Sequence, residues 1–397
     1  MTSSTPGGRV HALIDELDAA GTLPAACRSA LEITPRERFI PARMWVQEDD
    51  GGPYVALDRV VEADRWMGNV YSDRVIVTQW DDGRTEWPAV GSRPTCSASM
   101  PSVVVGMLAE LDVQPGQRIR EIGTGTGFNA ALLAAMVGKE GFVSTIEVDA
   151  VLAGLARANL ASGDGDGYGN VSVEVGDGAT DRPDAGQSWD RVIATAGVHV
   201  GRLPYGWVRD TQAGGIVLAP MRADLASGPL VRFVVGDDGT ATGHAVTMRV
   251  GFMELRADRV TSSAGMDAAW DDTTADVTGT TLSPWKPLLD LDHCWPLAVA
   301  LPGCRYDVWE KTPERPGVAW LRDPLTASWA SVAREDAAYV VRQQGPRRLW
   351  NEAETAYRWW QSRGEPPLES WVWTVAPDRQ SVTLPMNLDN RCDVREE

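Results

Sequence analysis

Between about residues 118 and 255, short apolar runs alternate with longer segments of helical composition. Strands are indicated by RIREI, FVSTIEV, VSVEV, WDRVIAT and GGIVLAP, helices by NAALLAAMV and AVLAGLARANLA, and a hairpin by PLVRFVVGDDGTATGHAVTMRV. Strands that alternate with helices predict an α/β fold with a mainly parallel sheet covered on both faces. In such a sheet the ligand crevice lies at the carboxyl ends of the strands.

Helical patterns also precede this region. HALIDELDAAGTL has apolar residues on one face and acidic residues between them, which predicts a short amphipathic helix ending near Gly21. Pro101 suits the first turn of a second helix. The apolar stripe of that helix would consist of Val104, Met107, Leu108 and Leu111.

The chain after residue 255 has a different character. RADRVTSSAGMDAAWDDTTADVTGTTL is rich in small and polar residues, which predicts a linker or an irregular connection. Farther on, WVWTVAPDRQSVTLP predicts a hairpin, and RRLWNEAETAYRWWQSRG predicts a helix. The buried face of this helix would carry Trp350, Ala353, Tyr357 and Trp360.

The length of the chain predicts two domains. At 397 residues the chain exceeds one ordinary core, and the change of composition places the boundary between residues 1–255 and 256–397. Eleven of the 17 tryptophans lie between Trp270 and Trp373. This density indicates either a compact aromatic core or a peptide-binding surface, and core packing is the simpler assignment for each tryptophan taken singly.

The segment EIGTGTGFNA, residues 121–130, predicts a nucleotide-type cofactor site. Its glycines let the backbone turn out of a strand, approach a ligand without an intervening Cβ and open a helix whose N–H groups face that ligand. The third glycine comes too early for the G-x-G-x-x-G pattern of dinucleotide sites. Glu147 ends the next strand, where a carboxylate can bind ribose hydroxyls. The predicted cofactor-binding residues here are Glu121, Gly123, Thr124, Gly125, Thr126, Gly127 and Glu147.

Two further strand ends carry candidates. Asp177 and Gly178 follow VSVEV, and the carboxylate can accept a hydrogen bond from an adenine amino group, although an Asp-Gly turn is the alternative. Thr195 ends WDRVIAT and His199 follows in the next loop. Both are candidates for substrate binding, and an ordinary loop histidine is the simpler assignment for His199.

Charge and composition narrow the function. The net charge of −18 repels polyanions, which disfavours DNA or RNA as a substrate unless a local basic patch overrides the average. No long apolar run or signal-peptide pattern is present, so we predict a cytoplasmic protein without membrane association. The cysteines form no C-x-x-C pair, which predicts reduced thiols and neither a disulfide framework nor a metal site. They are Cys27, Cys96, Cys294, Cys304 and Cys392.

Eight segments together resemble one family. They are RFIP at 38–41, YSDR at 71–74, SASMP at 97–101, EIGTGTGFNAALLA, TIEVD, NVSVEVGDGA, WDRVIATAG and GGIVLAP. Over about residues 30–255 the chain is similar, in the order and mostly in the spacing of these segments, to protein-L-isoaspartate O-methyltransferases. The resemblance implies a class I, Rossmann-like methyltransferase sheet with an N-terminal helical segment, here followed by a C-terminal α+β extension. It also implies methyl transfer from S-adenosylmethionine to a peptide carboxylate, with S-adenosylhomocysteine as product.

The resemblance also implies where the substrate lies. Ser99 matches a family serine that lies beside the transferred methyl group and the substrate carboxylate, and it is the predicted catalytic residue. Asp73 and Ser97, in the matching segments, are further candidates for substrate binding. Independently, the N-terminus of the helix that begins near Pro101 would favour a bound carboxylate. The alternative is that Ser97 or Ser99 only caps this helix.

Two departures from the repair enzymes bear on the substrate. WDDGRTEWPAVGSRPTC is inserted before SASMP, and about 115 residues follow the predicted linker. A methyltransferase of this kind with a Trp-rich extension resembles those encoded with ribosomal peptide natural products, most closely the partners of the ATP-grasp ligases that build graspetides. The implied acceptor is an aspartate in a cyclised precursor peptide, bound with the help of residues 256–397, and succinimide follows. The alternatives are isoaspartate repair, lanthipeptide tailoring and, third, a non-catalytic peptide-binding module. The sequence predicts no oligomeric state.

Overall fold

The computed structural model describes residues 6–49, 51–161, 168–181, 186–259, 274–312 and 317–384. The helices are α1 (Pro6–Ala19), α2 (Ala25–Ile33), α3 (Ala63–Val70), α4 (Pro101–Glu110), α5 (Phe128–Val137), α6 (Ala150–Ala161), α7 (Tyr205–Arg209), α8 (Trp285–Leu289), α9 (Leu291–Ala300) and α10 (Leu349–Gln361).

The strands of the first 255 residues are β1 (Arg43–Gln47), β2 (Tyr54–Asp58), β3 (Ile76–Trp80), β4 (Pro94–Ala98), β5 (Arg118–Ile122), β6 (Phe142–Glu147), β7 (Val171–Val175), β8 (Trp189–Ala194), β9 (Val198–His199), β10 (Thr211–Arg222), β11 (Ser227–Val235) and β12 (Ala241–Arg249). Those that follow are β13 (Asp276–Thr280), β14 (Arg305–Trp309), β15 (Val318–Asp323), β16 (Ser328–Glu335), β17 (Ala338–Gln344), β18 (Val372–Val375) and β19 (Gln380–Thr383).

A large twisted sheet organises the molecule, in the order β19-β18-β12-β11-β10-β8-β5-β6-β7, with the short β9 beside β10. The strands from β7 to β10 run parallel, which confirms the predicted Rossmann-like sheet. From β10 onward the pairing is antiparallel. The sheet therefore has a parallel half, β7-β6-β5-β8-β10, and an antiparallel half, β11-β12-β18-β19.

The helices predicted from apolar periodicity are present. Leu13, Ile14 and Leu17 of α1 are buried, and so is the predicted stripe of α4. Helix α5 buries residues around most of its circumference, because it lies between the sheet and α2. This position explains why its sequence, NAALLAAMV, is apolar without a polar face.

The insertion before Ser99 is part of a second, antiparallel sheet in the order β2-β1-β3-β4. Strands β3 and β4 flank the inserted segment, so the insertion forms an ordered connection between neighbouring strands. Asp81 shapes it: its carboxylate accepts hydrogen bonds from the Thr85 hydroxyl at 2.6 Å and from the backbone N–H groups of Ser92 and Arg93, both at 3.0 Å. Such a carboxylate-centred turn fixes a loop without a core of its own.

The C-terminal part builds a third, antiparallel sheet in the order β13-β17-β16-β15-β14. The prediction of an irregular connection is wrong for Asp276–Thr280, which forms β13 and pairs along its whole length with β17. Residues 260–273 of the predicted connection lie outside the described residues. The helix α10 and the hairpin β18–β19 are confirmed, and the predicted face of α10 is buried.

The extension and the large sheet share one hydrophobic core. Strand β18 pairs with β12, with Trp373 opposite Gly243. Trp295 of α9 packs on β11 at Gly228, where an added Cβ would lie 2.4 Å from the indole ring. Both the large sheet and the core therefore cross the predicted boundary at residue 255. None of the helices in the described ranges is long and apolar enough to cross a membrane.

Arg120, on β5, stands where the resembling family usually has an apolar residue, and the structure gives it partners. Its guanidinium group donates to the hydroxyl of Ser144 on β6 and lies 6.0 Å from the ring centroid of Trp189 on β8. Although only 6% exposed, the charge is therefore held by neighbouring strands.

Candidate functional site

A cavity of about 910 Å³ opens at the carboxyl ends of the parallel strands, beside β4 and the start of α4. Ten of the predicted site residues line it: Ser97, Ser99, Gly123, Thr124, Gly125, Thr126, Glu147, Asp177, Gly178 and Thr195. Four predicted residues are not part of the lining: Asp73, Glu121, Gly127 and His199. The structure thus brings most of the sequence-predicted residues together around one volume.

The glycine loop is held by its neighbours in the geometry that the sequence predicts. Gly123 has φ +96°, and a Cβ there would lie 2.7 Å from the Thr195 hydroxyl oxygen. That hydroxyl donates to the Gly123 carbonyl at 2.5 Å and is also 3.1 Å from the Ile122 carbonyl. Thr195 therefore positions the loop, in addition to lining the cavity. Gly125 has φ +53°, and a Cβ added there would lie 3.6 Å from the Cys96 sulfur.

Two carboxylates stand at neighbouring strand ends. Glu147 is 7% exposed, and its oxygens accept the backbone N–H groups of Gly125 at 2.9 Å and Asp149 at 3.1 Å. Each oxygen keeps a second lone pair, which can accept a ligand hydroxyl. Asp177 forms the turn named as its alternative, accepting from the Ala179 N–H at 2.9 Å, and it lines the cavity as well. A Cβ on Gly178 would lie 2.5 Å from the Ile122 side chain, so that position requires glycine.

Glu121 and Gly127 lie beneath the loop. Glu121 is fully buried and accepts hydrogen bonds from Asn129 at 2.7 Å and Thr145 at 2.5 Å, which ties β5 to α5 and β6. Burial raises the pKa of this carboxyl to about 7. Gly127 packs against Ala156 of α6, 3.4 Å from where its Cβ would be. The predicted cofactor contact does not fit this placement, and both residues instead position the loop.

Ser99 is not the cap of helix α4. The residue before Pro101 is Met100, and the Ser102 N–H is taken by an Asp73 carboxylate oxygen at 2.8 Å. Asp73, a predicted substrate-binding residue, is therefore engaged in capping from outside the cavity lining. Ser99 remains at the cavity wall, just before the helix N-terminus.

Arg36 fixes the backbone of Ser99. This arginine is 1% exposed and donates to the Ser99 carbonyl at 2.8 Å, to Val70 at 2.8 Å and to Arg74 at 3.2 Å. Burial lowers the pKa of Arg36 to about 10, so the group stays charged at neutral pH. Sequence reasoning missed Arg36, and its only signal was the adjacent RFIP segment.

His199 is buried in the short strand β9, so the simpler assignment to a loop is wrong. Its Nδ1 lies 3.8 Å from an Asp224 oxygen, and its Nε2 lies 3.7 Å from a Glu254 oxygen. Asp224 and Glu254 line the cavity, whereas His199 lies behind them. His199, followed by Arg222 and Arg93, lowers the pKa of Glu254, which is therefore a charged group of the cavity wall.

A network of ion pairs at the cavity edge, which we call the lip, joins the insertion to the segment after β12. Arg256 lies 3.2 Å from an Asp149 oxygen and 3.3 Å from an Asp82 oxygen, and Arg259 lies 2.7 Å from Asp82. Gln79 completes this network by donating to Asp149 at 3.0 Å. The insertion is thereby fastened to the cavity edge.

The described cysteines are four buried free thiols, and Cys392 lies outside the described residues. Burial raises the pKa of Cys96, which lines the cavity, to about 12. Within the described ranges, no three or more His, Cys, Asp or Glu side chains come together as a metal site.

The fold and the site define a class I S-adenosylmethionine-dependent methyltransferase. The family model described as Protein-L-isoaspartate(D-aspartate) O-methyltransferase (PCMT) matches residues 8–259. The chain therefore belongs to the PCMT family, whose members are S-adenosylmethionine-dependent carboxyl O-methyltransferases.

Relatives and a solved structure agree with this family. The chain is 35% identical over 150 residues to the protein-L-isoaspartate O-methyltransferase of Ignicoccus hospitalis, covering 38% of this chain and 67% of that relative. It is 32% identical over 200 residues to the enzyme of the same name from Methanothermobacter thermautotrophicus, covering 50% and 72%. A solved structure named protein-L-isoaspartate O-methyltransferase aligns with a TM-score of 0.53 and 18% identity, over 95% of this chain and 100% of its own.

The structural alignment bears on the C-terminal extension. Because it spans 95% of this chain, it continues past residue 255. At 18% identity it shows similarity of fold alone. The C-terminal extension therefore lies within the span over which the two folds align.

Proposed function

We propose that this carboxyl methyltransferase esterifies the free carboxylate of an aspartate-derived residue in a peptide, with the α-carboxylate of an isoaspartyl residue as the acceptor. The observation that carries the proposal is the placement of Ser99 and the glycine loop on one cavity, at the carboxyl ends of the parallel strands. The isoaspartyl acceptor is supported by the names of the relatives from Ignicoccus hospitalis and Methanothermobacter thermautotrophicus.

The cavity fits the cofactor of the family. The glycine loop leaves space where a side chain at Gly125 would reach toward Cys96. Glu147 offers lone pairs to ribose hydroxyls, and Asp177 lies at the next strand end for the adenine. When bound, S-adenosylmethionine supplies an electrophilic methyl group on a sulfonium sulfur.

The remaining task of the protein is to align the acceptor. A peptide carboxyl group with a pKa of about 4 is already an anion at neutral pH, so it attacks without a general base. The Ser99 hydroxyl would donate to one carboxylate oxygen and orient the other toward the methyl carbon. A carbon–oxygen bond forms as the carbon–sulfur bond breaks, and no proton is transferred. The following backbone amide nitrogen can then attack the ester, and its proton leaves with the methoxy group as methanol while succinimide forms.

A second acceptor is favoured by a specific observation. Arg93, from the insertion, and Arg305, from the extension, both line the cavity. The insertion and the extension therefore both contribute to the surroundings of the site. This supports, as the second candidate, a normal aspartate in a crosslinked ribosomal precursor peptide of the graspetide or lanthipeptide type, with residues 256–397 taking part in recognition.

A competition experiment separates the two acceptors. Equimolar isoaspartyl peptide, crosslinked aspartyl peptide and the uncrosslinked form of the latter are incubated with enzyme and S-adenosylmethionine, and mass spectrometry follows the gain of one methylene. Isoaspartate repair predicts that the linear isoaspartyl peptide is consumed first. The second candidate predicts that the crosslinked peptide reacts first and ends one water lighter than it began, because a preformed loop loses less entropy on binding. Methylation of none of the three peptides would contradict both.

A further inference from the structure

The cavity wall is rich in arginine although the whole chain carries a net charge of −18. Six arginines line it: Arg93, Arg222, Arg249, Arg256, Arg259 and Arg305. Three of these, Arg249, Arg256 and Arg259, each have a carboxylate oxygen within 3.3 Å. Their charges are used in holding the lip and the extension in place.

The other three arginines have unused donors. Arg222 lies 3.7 Å and Arg93 lies 3.8 Å from the oxygens of Glu254, distances too long for hydrogen bonds. The Nε of Arg222 is buried without a hydrogen-bond partner among the described residues. The side chain of Arg305 has no ion-pair or hydrogen-bond partner in the part of the chain that the structure describes. A guanidinium group carries five N–H donors, so this wall can bind an acceptor from outside.

These three residues reach the cavity from separate parts of the chain. Arg222 ends the parallel-sheet strand β10, and its side chain crosses Gly197, where an added Cβ would lie 3.1 Å from the Arg222 Cδ. Arg93 belongs to the insertion. Arg305 opens β14 and is the one residue after 259, among those described, that lines the cavity.

The charges that face the three arginines are few. Asp224 and Glu254 stand on the same wall, and both lie within 3.8 Å of His199. Arg93 and Arg222 both approach Glu254, which they share with the imidazole of His199. An incoming carboxylate can use the free fork of a guanidinium group, which matches two carboxylate oxygens at once.

We propose that Arg93, Arg222 and Arg305 bind carboxylates that flank the methyl-accepting residue, so that the substrate is an acidic peptide segment. This inference rests on the proposed function and specifies the substrate of the same site. It explains why the insertion and the extension both supply a cation to the cavity. It also explains how a strongly acidic protein can bind an acidic peptide: the local wall overrides the average charge.

The test uses two versions of the acceptor peptide that the competition experiment identifies, one with Asp or Glu on both sides of the acceptor and one with Asn or Gln there. We expect kcat/KM to be about 10- to 100-fold higher for the acidic peptide, mainly through KM, which corresponds to one or two charge-assisted hydrogen bonds. Arg222→Gln and Arg305→Gln should each reduce this preference at least several-fold. Arg322→Gln is the matched control, because Arg322 pairs with Arg305 across β14 and β15 but does not line the cavity.

Binding of S-adenosylhomocysteine, measured by calorimetry, separates the outcomes. Unchanged affinity in Arg222→Gln, together with a lost acidic preference, supports the inference. Affinity weakened tenfold or more would assign Arg222 to the carboxylate of the cofactor and overturn it. Equal turnover of both peptides by the wild-type enzyme would overturn the inference and leave the proposed function standing. No turnover of any peptide, with cofactor binding intact, would overturn both.

Discussion

The parallel and antiparallel halves of the large sheet build their parts of the molecule in different ways. In the parallel half, the predicted cofactor-binding residues come from successive strand ends between Gly123 and Gly178, and each of these ends follows its own strand. In the antiparallel half, β12 pairs with β18, whose residues follow it by more than 120 positions. The predicted cofactor-binding residues are therefore placed by local sequence, whereas the antiparallel half depends on contacts between distant segments.

The chain segments before and after residue 255 nevertheless form one unit. Trp295 lies on β11 at Gly228, and its ring centroid is 6.0 Å from that of Trp373 on β18. Arg249, at the end of β12, pairs with Asp292 of α9 and with Glu369, both at 2.9 Å. Deleting everything after residue 255 would remove these partners and expose the core, so point substitutions test the extension more cleanly than truncation.

The largest effect should come from the contact between the extension and the sheet. Trp295→Ala should lower the free energy of unfolding by about 3 to 5 kcal/mol, because it empties a fully buried indole site. Urea unfolding followed by circular dichroism measures this change. Trp359→Ala, at a position that is 41% exposed, is the control and should cost below about 1 kcal/mol. Equal effects of the two substitutions would show that the extension and the large sheet are not coupled through this core.

Next in size is the effect of the glycine loop on the cofactor. Gly125→Val should weaken S-adenosylhomocysteine binding by about 100-fold or more, since a branched side chain would fill the gap toward Cys96 and strain a backbone with φ +53°. Isothermal calorimetry measures the affinity. Gly154→Ala on α6, where an added Cβ meets nothing within 4 Å, should bind normally. Normal S-adenosylhomocysteine binding by a folded Gly125→Val protein would show that the glycine loop does not contact the cofactor.

The next prediction concerns Ser99, which lies at the cavity wall just before the N-terminus of α4. Ser99→Ala should keep cofactor affinity and lower kcat by about 10- to 1,000-fold, the range for losing one positioned hydrogen bond in a transition state. Steady-state methylation of the acceptor peptide provides the measurement. Ser102→Ala, three residues farther on and outside the cavity lining, should retain wild-type kcat. A Ser99→Ala enzyme with unchanged kcat would show that Ser99 lines the cavity without contributing to methyl transfer.

The smallest effect concerns pH and the parallel half alone. Folding keeps a proton on Glu121 up to about pH 7, whereas an unfolded glutamate loses it near pH 4.3. Between these values the folded state binds more protons, so the free energy of unfolding falls as pH rises, by at most about 1.4 kcal/mol per pH unit. Glu121→Gln should flatten this slope, measured by urea unfolding at pH 5, 6 and 7. An unchanged slope would show that Glu121 is ionised throughout.

The difference between local signals and contacts of distant segments also explains which site residues could be predicted from the sequence. The glycine loop, Glu147 and Asp177 could be predicted because a turn out of a strand needs residues at that position of the chain. Arg36 and the capping role of Asp73 could not, because their partners are backbone groups of Ser99 and Ser102, brought near only by the fold. The three arginines of the proposed substrate wall converge from separate segments, and only Arg222, at the end of a parallel strand, carried a usable signal.

Two incorrect predictions have the same origin. The Ser- and Thr-rich composition around Asp276–Thr280 indicates a connection, but these residues pair with β17, 59 to 67 residues later. His199 was assigned to a loop because only two residues form its strand, and its acidic neighbours Asp224 and Glu254 are distant in sequence. Both errors arose where a long-range contact outweighs local composition.

The pairing of β12 with β18 determines when the large sheet can be completed during synthesis of the chain. A ribosome finishes β12 at Arg249 and must add 122 more residues before it reaches Val372, where β18 begins. At typical rates of synthesis this takes about 6 to 25 seconds. Throughout that interval the sheet ends in an open edge, the kind of template to which foreign strands attach. The parallel half is therefore made early and the antiparallel half is completed late, and during the interval other chains can pair with the edge that β18 later occupies.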